Sequence, residues 1–101
     1  MISENDLFEK IEEAVRTVLN TEKGEITKTS MFKADLHAES IDYLDISYEI
    51  EQRTGIELDF TDALQYVTEK NSSEITDISM QDMLDYMMHV LSQKEEKNDP
   101  T

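Results

Sequence analysis

The sequence contains no cysteine, a single proline and only two glycines among its 101 residues. Without cysteine the chain forms neither a disulfide framework nor a thiolate metal site, which is typical of a cytoplasmic protein. Sandwiches and barrels need many turns, so the scarcity of glycine and proline favours a helical bundle. No apolar run approaches the roughly 20 residues of a membrane-spanning helix, and an acidic N-terminus is unlike a signal peptide. We expect a soluble protein without membrane insertion.

Basic residues are also scarce. Nine Lys and Arg stand against 24 Asp and Glu, which gives a formal net charge of -15 and a pI near 4.2. Such a surface repels nucleic acid and attracts basic patches on other proteins over a long range. We therefore expect protein partners and no nucleic-acid partner. The simpler alternative is that the acidic residues only maintain solubility.

Hydrophobic periodicity predicts four helices around one core, since a chain of this length supports a single domain. Gly55 is expected to end the second helix, and Ser79 with Asp82 forms a capping-box pattern before the fourth. The stretch 25–38 reads as a long loop with apolar anchors over the core. We expect a domain over residues 1–92 and a disordered polar tail over 93–101. The first predicted helix is capped by Ser3 or Asn5 and ends just before Gly24. The others are 40–54, a short third helix over 60–71 capped by Asp59 or Thr61, and a fourth whose apolar residues run from Met80 to Leu91.

Few residues are candidates for chemistry. The two histidines, His37 and His89, lie far apart, and no acidic stretch has the spacing of a calcium loop, so we expect no metal site. Two isolated glycines exclude a glycine-rich phosphate loop. A small bundle leaves little cavity for a substrate, and no spacing fixes a Ser-His-acid triad. We expect no catalytic residue.

One segment stands apart because it places Ser40 at a predicted loop-to-helix junction. Free backbone N–H groups and the helix dipole favour an anionic phosphate at such a junction. A phosphodiester on the Ser40 hydroxyl is therefore chemically reasonable there. The alternative is that Ser40 only caps the helix, which is the commoner role for such a serine.

Residues 35–42 read D-L-H-A-E-S-I-D and resemble the D-L-G-x-D-S-L-[DE] motif of the acyl carrier protein family. The similarity continues at 25–32, which contain E-I-T and Phe32, and downstream at 50–58 and 79–87. The resemblance implies an all-α four-helix bundle of the acyl-carrier type. It also implies that a phosphopantetheinyl transferase attaches 4′-phosphopantetheine from coenzyme A to Ser40, and that the protein is not an enzyme.

The resemblance further implies a partner-binding surface on the second helix. Relatives use acidic residues there against basic patches on acyl-handling enzymes, with apolar contacts beside them. The implied partners belong to fatty-acid or related lipid or polyketide biosynthesis, and the implied state is a monomer. The matching acidic positions are Glu39, Asp42, Asp45 and Glu51, and the matching apolar positions are Ile41, Leu44 and Tyr48.

Three departures from the family pattern suggest a specialised carrier. His37 stands at the usual glycine, Ser47 and Thr54 stand where relatives place apolar residues facing the core, and the segment 59–78 is longer than usual. If both hydroxyls face the interior, that interior favours polar acyl groups over saturated chains. The alternative is neutral change with compensating packing. An amino-acyl or peptidyl carrier, an unmodified acidic helical adaptor and a small hydrolase remain open as functions.

Overall fold

The computed structural model describes residues 2–97, with side chains described through residue 93. These residues form four α-helices and one isolated β-bridge between Met31 and Ser79. The predicted all-α four-helix bundle is confirmed, and the second helix has the predicted first and last residues. The helices are α1 (Glu4–Leu19), α2 (Ser40–Thr54), α3 (Phe60–Asn71) and α4 (Met80–Lys97).

Side-chain caps begin three of the helices as their sequences predict. The Ser3 hydroxyl accepts a hydrogen bond from the Asp6 N–H at 3.1 Å at the start of α1. Before α4, Ser79 and Asp82 form the reciprocal capping box, each side chain accepting from the other backbone N–H at 3.0 Å. These bonds satisfy N–H groups that a helix leaves without internal partners. At α3 the carboxylate of Asp59 plays the same part.

The helix ends differ from expectation at two places. Asn20, in a left-handed conformation, ends α1 four residues before Gly24, and asparagine is the residue after glycine that most often adopts this conformation at a helix end. The backbone of α4 continues to Lys97, beyond the expected boundary at residue 92. Lys and Glu at 94–97 are good helix formers, so the helix extends without apolar residues to bury. Residues 98–101 of the expected tail lie outside the described residues.

The core draws residues from all four helices and from both long loops. Met80, Met83 and Met87 are fully buried, as expected for methionine acting as a flexible core filler. The loop before α2 contributes Phe32, also fully buried, and Ile26. The other fully buried large side chains are Leu7, Ile11, Val15, Ile46, Ile50 and Leu84.

Backbone hydrogen bonds join the α1–α2 loop to the α3–α4 loop. The Phe32 N–H donates to the Ile78 carbonyl at 2.9 Å, and the Met80 N–H donates to the Ser30 carbonyl at 2.9 Å. The Phe32 carbonyl in turn accepts from the Ala38 N–H at 2.9 Å. We call this set of bonds the loop clamp. It fixes the chain just before α2 begins and so determines where Ser40 lies.

His37, which stands at the family's usual glycine, adopts a left-handed conformation with φ 56°. A non-glycine residue there costs about 1–2 kcal/mol, which exceeds the roughly 0.4–1 kcal/mol of unfolded-state entropy that glycine adds. We therefore expect His37→Gly to raise the free energy of unfolding by about 0.5–1 kcal/mol in denaturant titrations.

A matched control for this prediction is Ala34→Gly in the same exposed loop. Ala34 has a negative φ, so its replacement by glycine relieves no strain and only adds unfolded-state entropy. We expect the Ala34→Gly protein to be less stable than the wild type. A His37→Gly protein that loses as much stability would contradict the strain argument.

Candidate functional site

Ser40 is the first residue of α2, and its side chain is exposed. The cap residue is Glu39, whose N–H donates to the Asp42 carboxylate at 2.8 Å. The Ser40 hydroxyl has no hydrogen-bond partner within residues 2–97. The alternative in which Ser40 caps the helix is therefore wrong, because the residue before it occupies the cap position.

The start of α2 suits an anionic phosphodiester. Among the described residues the N–H groups of Ser40 and Ile41 have no hydrogen-bond acceptor, as is usual in a first helical turn. These donors and the positive end of the helix dipole lie beside the Ser40 hydroxyl. Asp42 adds negative charge nearby, but its carboxylate is already engaged by the Glu39 N–H. The residues present therefore fit an attached phosphopantetheine.

A groove of about 340 Å³ opens beside Ser40, between α2 and the start of α3. Its lining mixes apolar side chains with the hydroxyls of Ser47 and Thr61 and the carboxylate of Asp59. Of the lining residues, Ser40, Leu44 and Ser47 were site candidates from the sequence. The lining residues are Ser40, Tyr43, Leu44, Ser47, Leu58, Asp59, Phe60 and Thr61.

Three aromatic rings meet at the inner side of this groove. The ring centroids of Tyr43 and Phe60 lie 4.6 Å apart, and both rings pack against the fully buried Phe32, at 6.4 and 5.5 Å respectively. Burial raises the pKa of the Tyr43 hydroxyl, and the nearby carboxylates of Asp77 and Asp42 raise it further. Tyr43 is therefore a neutral, half-buried phenol that packs as an aromatic residue.

The three apolar residues predicted to bind partners lie together on the outer face of α2. Ile41, Leu44 and Tyr48 are 66%, 75% and 59% exposed, and their spacing puts them on neighbouring turns of one helix face. Exposed acidic residues Asp45 and Glu51 lie on the same helix, and Glu39 is exposed at its start. Because large apolar side chains rarely cluster in water without a function, this face is a candidate docking surface.

Asp42 and Thr54 have structural roles that the sequence analysis did not assign. Asp42 is half-buried and holds the start of α2 through Glu39, which a capping-box reading of positions 39 and 42 could have identified. The Thr54 hydroxyl donates to the Ile50 carbonyl at 2.8 Å and accepts from the Ile56 N–H at 3.1 Å. Thr54 therefore closes the end of α2, and the expectation that it shapes an acyl pocket with Ser47 is wrong.

Neither a metal centre nor a membrane span is found in the part of the chain that the structure describes. No group of three or more His, Asp or Glu side chains there could hold a metal ion. None of the described helices is long and apolar enough to cross a membrane.

Comparisons with known proteins agree with this geometry. Residues 9–70 match the family model described as a phosphopantetheine attachment site. The acyl carrier protein of Treponema denticola is 30% identical over 70 residues, which cover 69% of this chain and 90% of the relative. That of Lactobacillus johnsonii is 33% identical over 62 residues, covering 61% of this chain and 78% of the relative.

A further relative, the acyl carrier protein of Guillardia theta, is 32% identical over 57 residues, covering 56% of this chain and 70% of the relative. The chain belongs to the acyl carrier protein family. It is a carrier protein and not an enzyme, and its cofactor is 4′-phosphopantetheine.

The free Ser40 hydroxyl leads to a stability prediction. Because this hydroxyl has no partner within the described residues, Ser40→Ala should change the free energy of unfolding by less than about 0.5 kcal/mol. The control is Ser79→Ala, which removes a hydroxyl that accepts from the Asp82 N–H and should cost about 1 kcal/mol. Urea titrations of the three proteins measure both values. A Ser40→Ala loss as large as that of Ser79→Ala would mean that Ser40 is a structural cap.

Proposed function

We propose that this chain carries acyl groups as thioesters on a 4′-phosphopantetheine arm attached to Ser40. It presents them to enzymes of fatty-acid or related lipid or polyketide biosynthesis in the cytoplasm. The observation that carries the proposal is an exposed, unengaged Ser40 hydroxyl in the first turn of α2, at the edge of a groove. The match to the phosphopantetheine attachment family supports the same residue, since Ser40 lies within the matched segment.

In this proposal the protein positions the arm, and none of its residues catalyses the formation or cleavage of a bond. The N–H groups of Ser40 and Ile41 hold the phosphate at the start of α2. The arm supplies a terminal thiol, to which the acyl group is bound. The groove beside Ser40 shields the acyl group from water, so the residues that line it determine which acyl groups are protected.

The outer face of α2 serves as the docking surface for the transferase and the acyl-handling enzymes. Ile41, Leu44 and Tyr48 supply apolar contact, and Asp45 and Glu51 attract basic patches. Charges at the rim of an interface mainly raise the association rate, whereas small apolar contacts keep the complex short-lived. Fast exchange between partners is what a shuttle requires.

The attachment site is tested by intact mass. Wild type and Ser40→Ala are incubated with coenzyme A and a broad-specificity phosphopantetheinyl transferase. We expect one phosphopantetheine adduct on the wild type and none on Ser40→Ala, because no other serine combines this motif with the first turn of a helix. An adduct on the Ala protein, or none on the wild type, would overturn the assignment. The second result would favour an unmodified acidic adaptor.

The docking surface is tested by charge reversal. Asp45→Lys with Glu51→Lys should slow modification of Ser40 at low salt, because the basic patch of the transferase loses its attraction. Added salt should slow the wild type more than this double variant, since screening acts on the interaction that the variant lacks. Modification rates by mass spectrometry measure both effects.

The control for the charge reversal is Glu9→Lys with Glu74→Lys, which makes the same charge change at exposed positions on α1 and the α3–α4 loop. Asp42 is left unchanged in both variants because it holds the start of α2. If the two double variants slow modification equally, net charge acts without a defined docking surface.

A further inference from the structure

A second, smaller cavity of about 130 Å³ adjoins the groove. The two spaces share the lining residues Tyr43, Phe60 and Thr61. The other walls of the second cavity include Leu64 of α3 and the exposed residues Lys33 and Thr76, so this cavity also reaches the surface. The rings of Tyr43 and Phe60 therefore stand between the groove beside Ser40 and the second cavity. We call these two rings the aromatic wall.

Packing holds the aromatic wall in place. Its rings are 4.6 Å apart and each meets the edge or face of Phe32, which is itself 0% exposed. Phe32 is fixed by the loop clamp, because its N–H donates to the Ile78 carbonyl. To open the wall, an acyl chain would have to separate rings that pack against a fully buried third ring, and a dense core resists such a change.

The polar lining on both sides also disfavours a long alkyl chain. On the groove side, Ser47 and Thr61 carry hydroxyls. On the side of the second cavity, the carboxylate of Asp77 accepts hydrogen bonds from the backbone N–H groups of Lys33, Ala34 and Ile78. A methylene that reaches this carboxylate gains little, because burial stabilises an alkyl chain only against apolar surroundings.

We infer that the aromatic wall of Tyr43 and Phe60 restricts this carrier to short acyl groups, which lie in the outer groove. Oxygen-bearing short groups are favoured there, since the Ser47 and Thr61 hydroxyls offer hydrogen bonds. This inference rests on the proposed attachment at Ser40 and names the class of acyl group that the site protects. Longer saturated chains remain exposed to water beyond the groove.

The test uses the full chain, loaded by a transferase from butyryl-, 3-hydroxybutyryl- and octanoyl-coenzyme A, with the unacylated arm as reference. We expect octanoyl to raise the melting temperature of the wild type no more than butyryl, and 3-hydroxybutyryl to raise it most. In Tyr43→Leu, octanoyl should give the largest rise and hydrolyse several-fold more slowly than on the wild type. In Ser47→Val, 3-hydroxybutyryl should raise the melting temperature no more than butyryl does.

Tyr66→Leu is the matched control, because Tyr66 is also half-buried and packs on a second ring, Tyr86, at 5.6 Å. It should keep the wild-type order of the three acyl groups. Should Tyr43→Leu fail to fold, nuclear magnetic resonance on the octanoyl wild type decides. Chemical-shift changes at Ser47 and Leu58 without changes at Leu64 would show that the octanoyl chain stays outside the aromatic wall.

Two results would overturn this inference and leave the proposed function unaffected. The first is a wild type that octanoyl stabilises more than butyryl, and the second is octanoyl-induced shifts at Leu64 and Thr76. Both require that Ser40 has accepted the arm, which intact mass establishes beforehand. Absence of any adduct would instead overturn the proposed function, and the inference with it.

Discussion

The position of Ser40 depends on the loop clamp between the α1–α2 and α3–α4 loops. Phe32 is its centre, since its N–H bonds to the Ile78 carbonyl, its own carbonyl accepts from the Ala38 N–H, and its ring is fully buried. Ala38 lies two residues before Ser40, so the clamp determines where α2 begins. The same ring supports Tyr43 and Phe60. One buried aromatic residue thus positions Ser40 and supports the inner side of the groove.

The sequence predicted local features well because their signals are local. A serine-to-glycine interval with helical periodicity predicted α2 from Ser40 to Thr54, and the pair of Ser79 and Asp82 predicted the start of α4. The loop clamp could not be predicted in the same way. Backbone bonds between residues 32 and 78 require two distant loops to meet, and no side-chain pattern marks the partner. Phe32 was recognisable as a loop anchor, but its contacts were not.

The same distinction holds for the candidate site: features of one helix were predicted, and features formed between helices were not. The family resemblance named Ile41, Leu44 and Tyr48 as apolar contact positions, and all three are exposed in the structure. The groove was not predicted because it exists only where α2 meets the start of α3. Ser47 and Thr54 share a helix face, yet one lines the groove and the other bonds to its own backbone. A helical wheel gives the direction of a side chain but not what lies opposite it.

Leu44 belongs both to the outer face of α2 and to the groove beside Ser40. Its side chain is 75% exposed on the docking face, and it also lines the groove beside Ser40. Under the proposed function, a partner that covers Leu44 would also contact the rim of the groove beside Ser40. Docking at this residue and shielding of the acyl group would then be coupled, since both would depend on the same side chain.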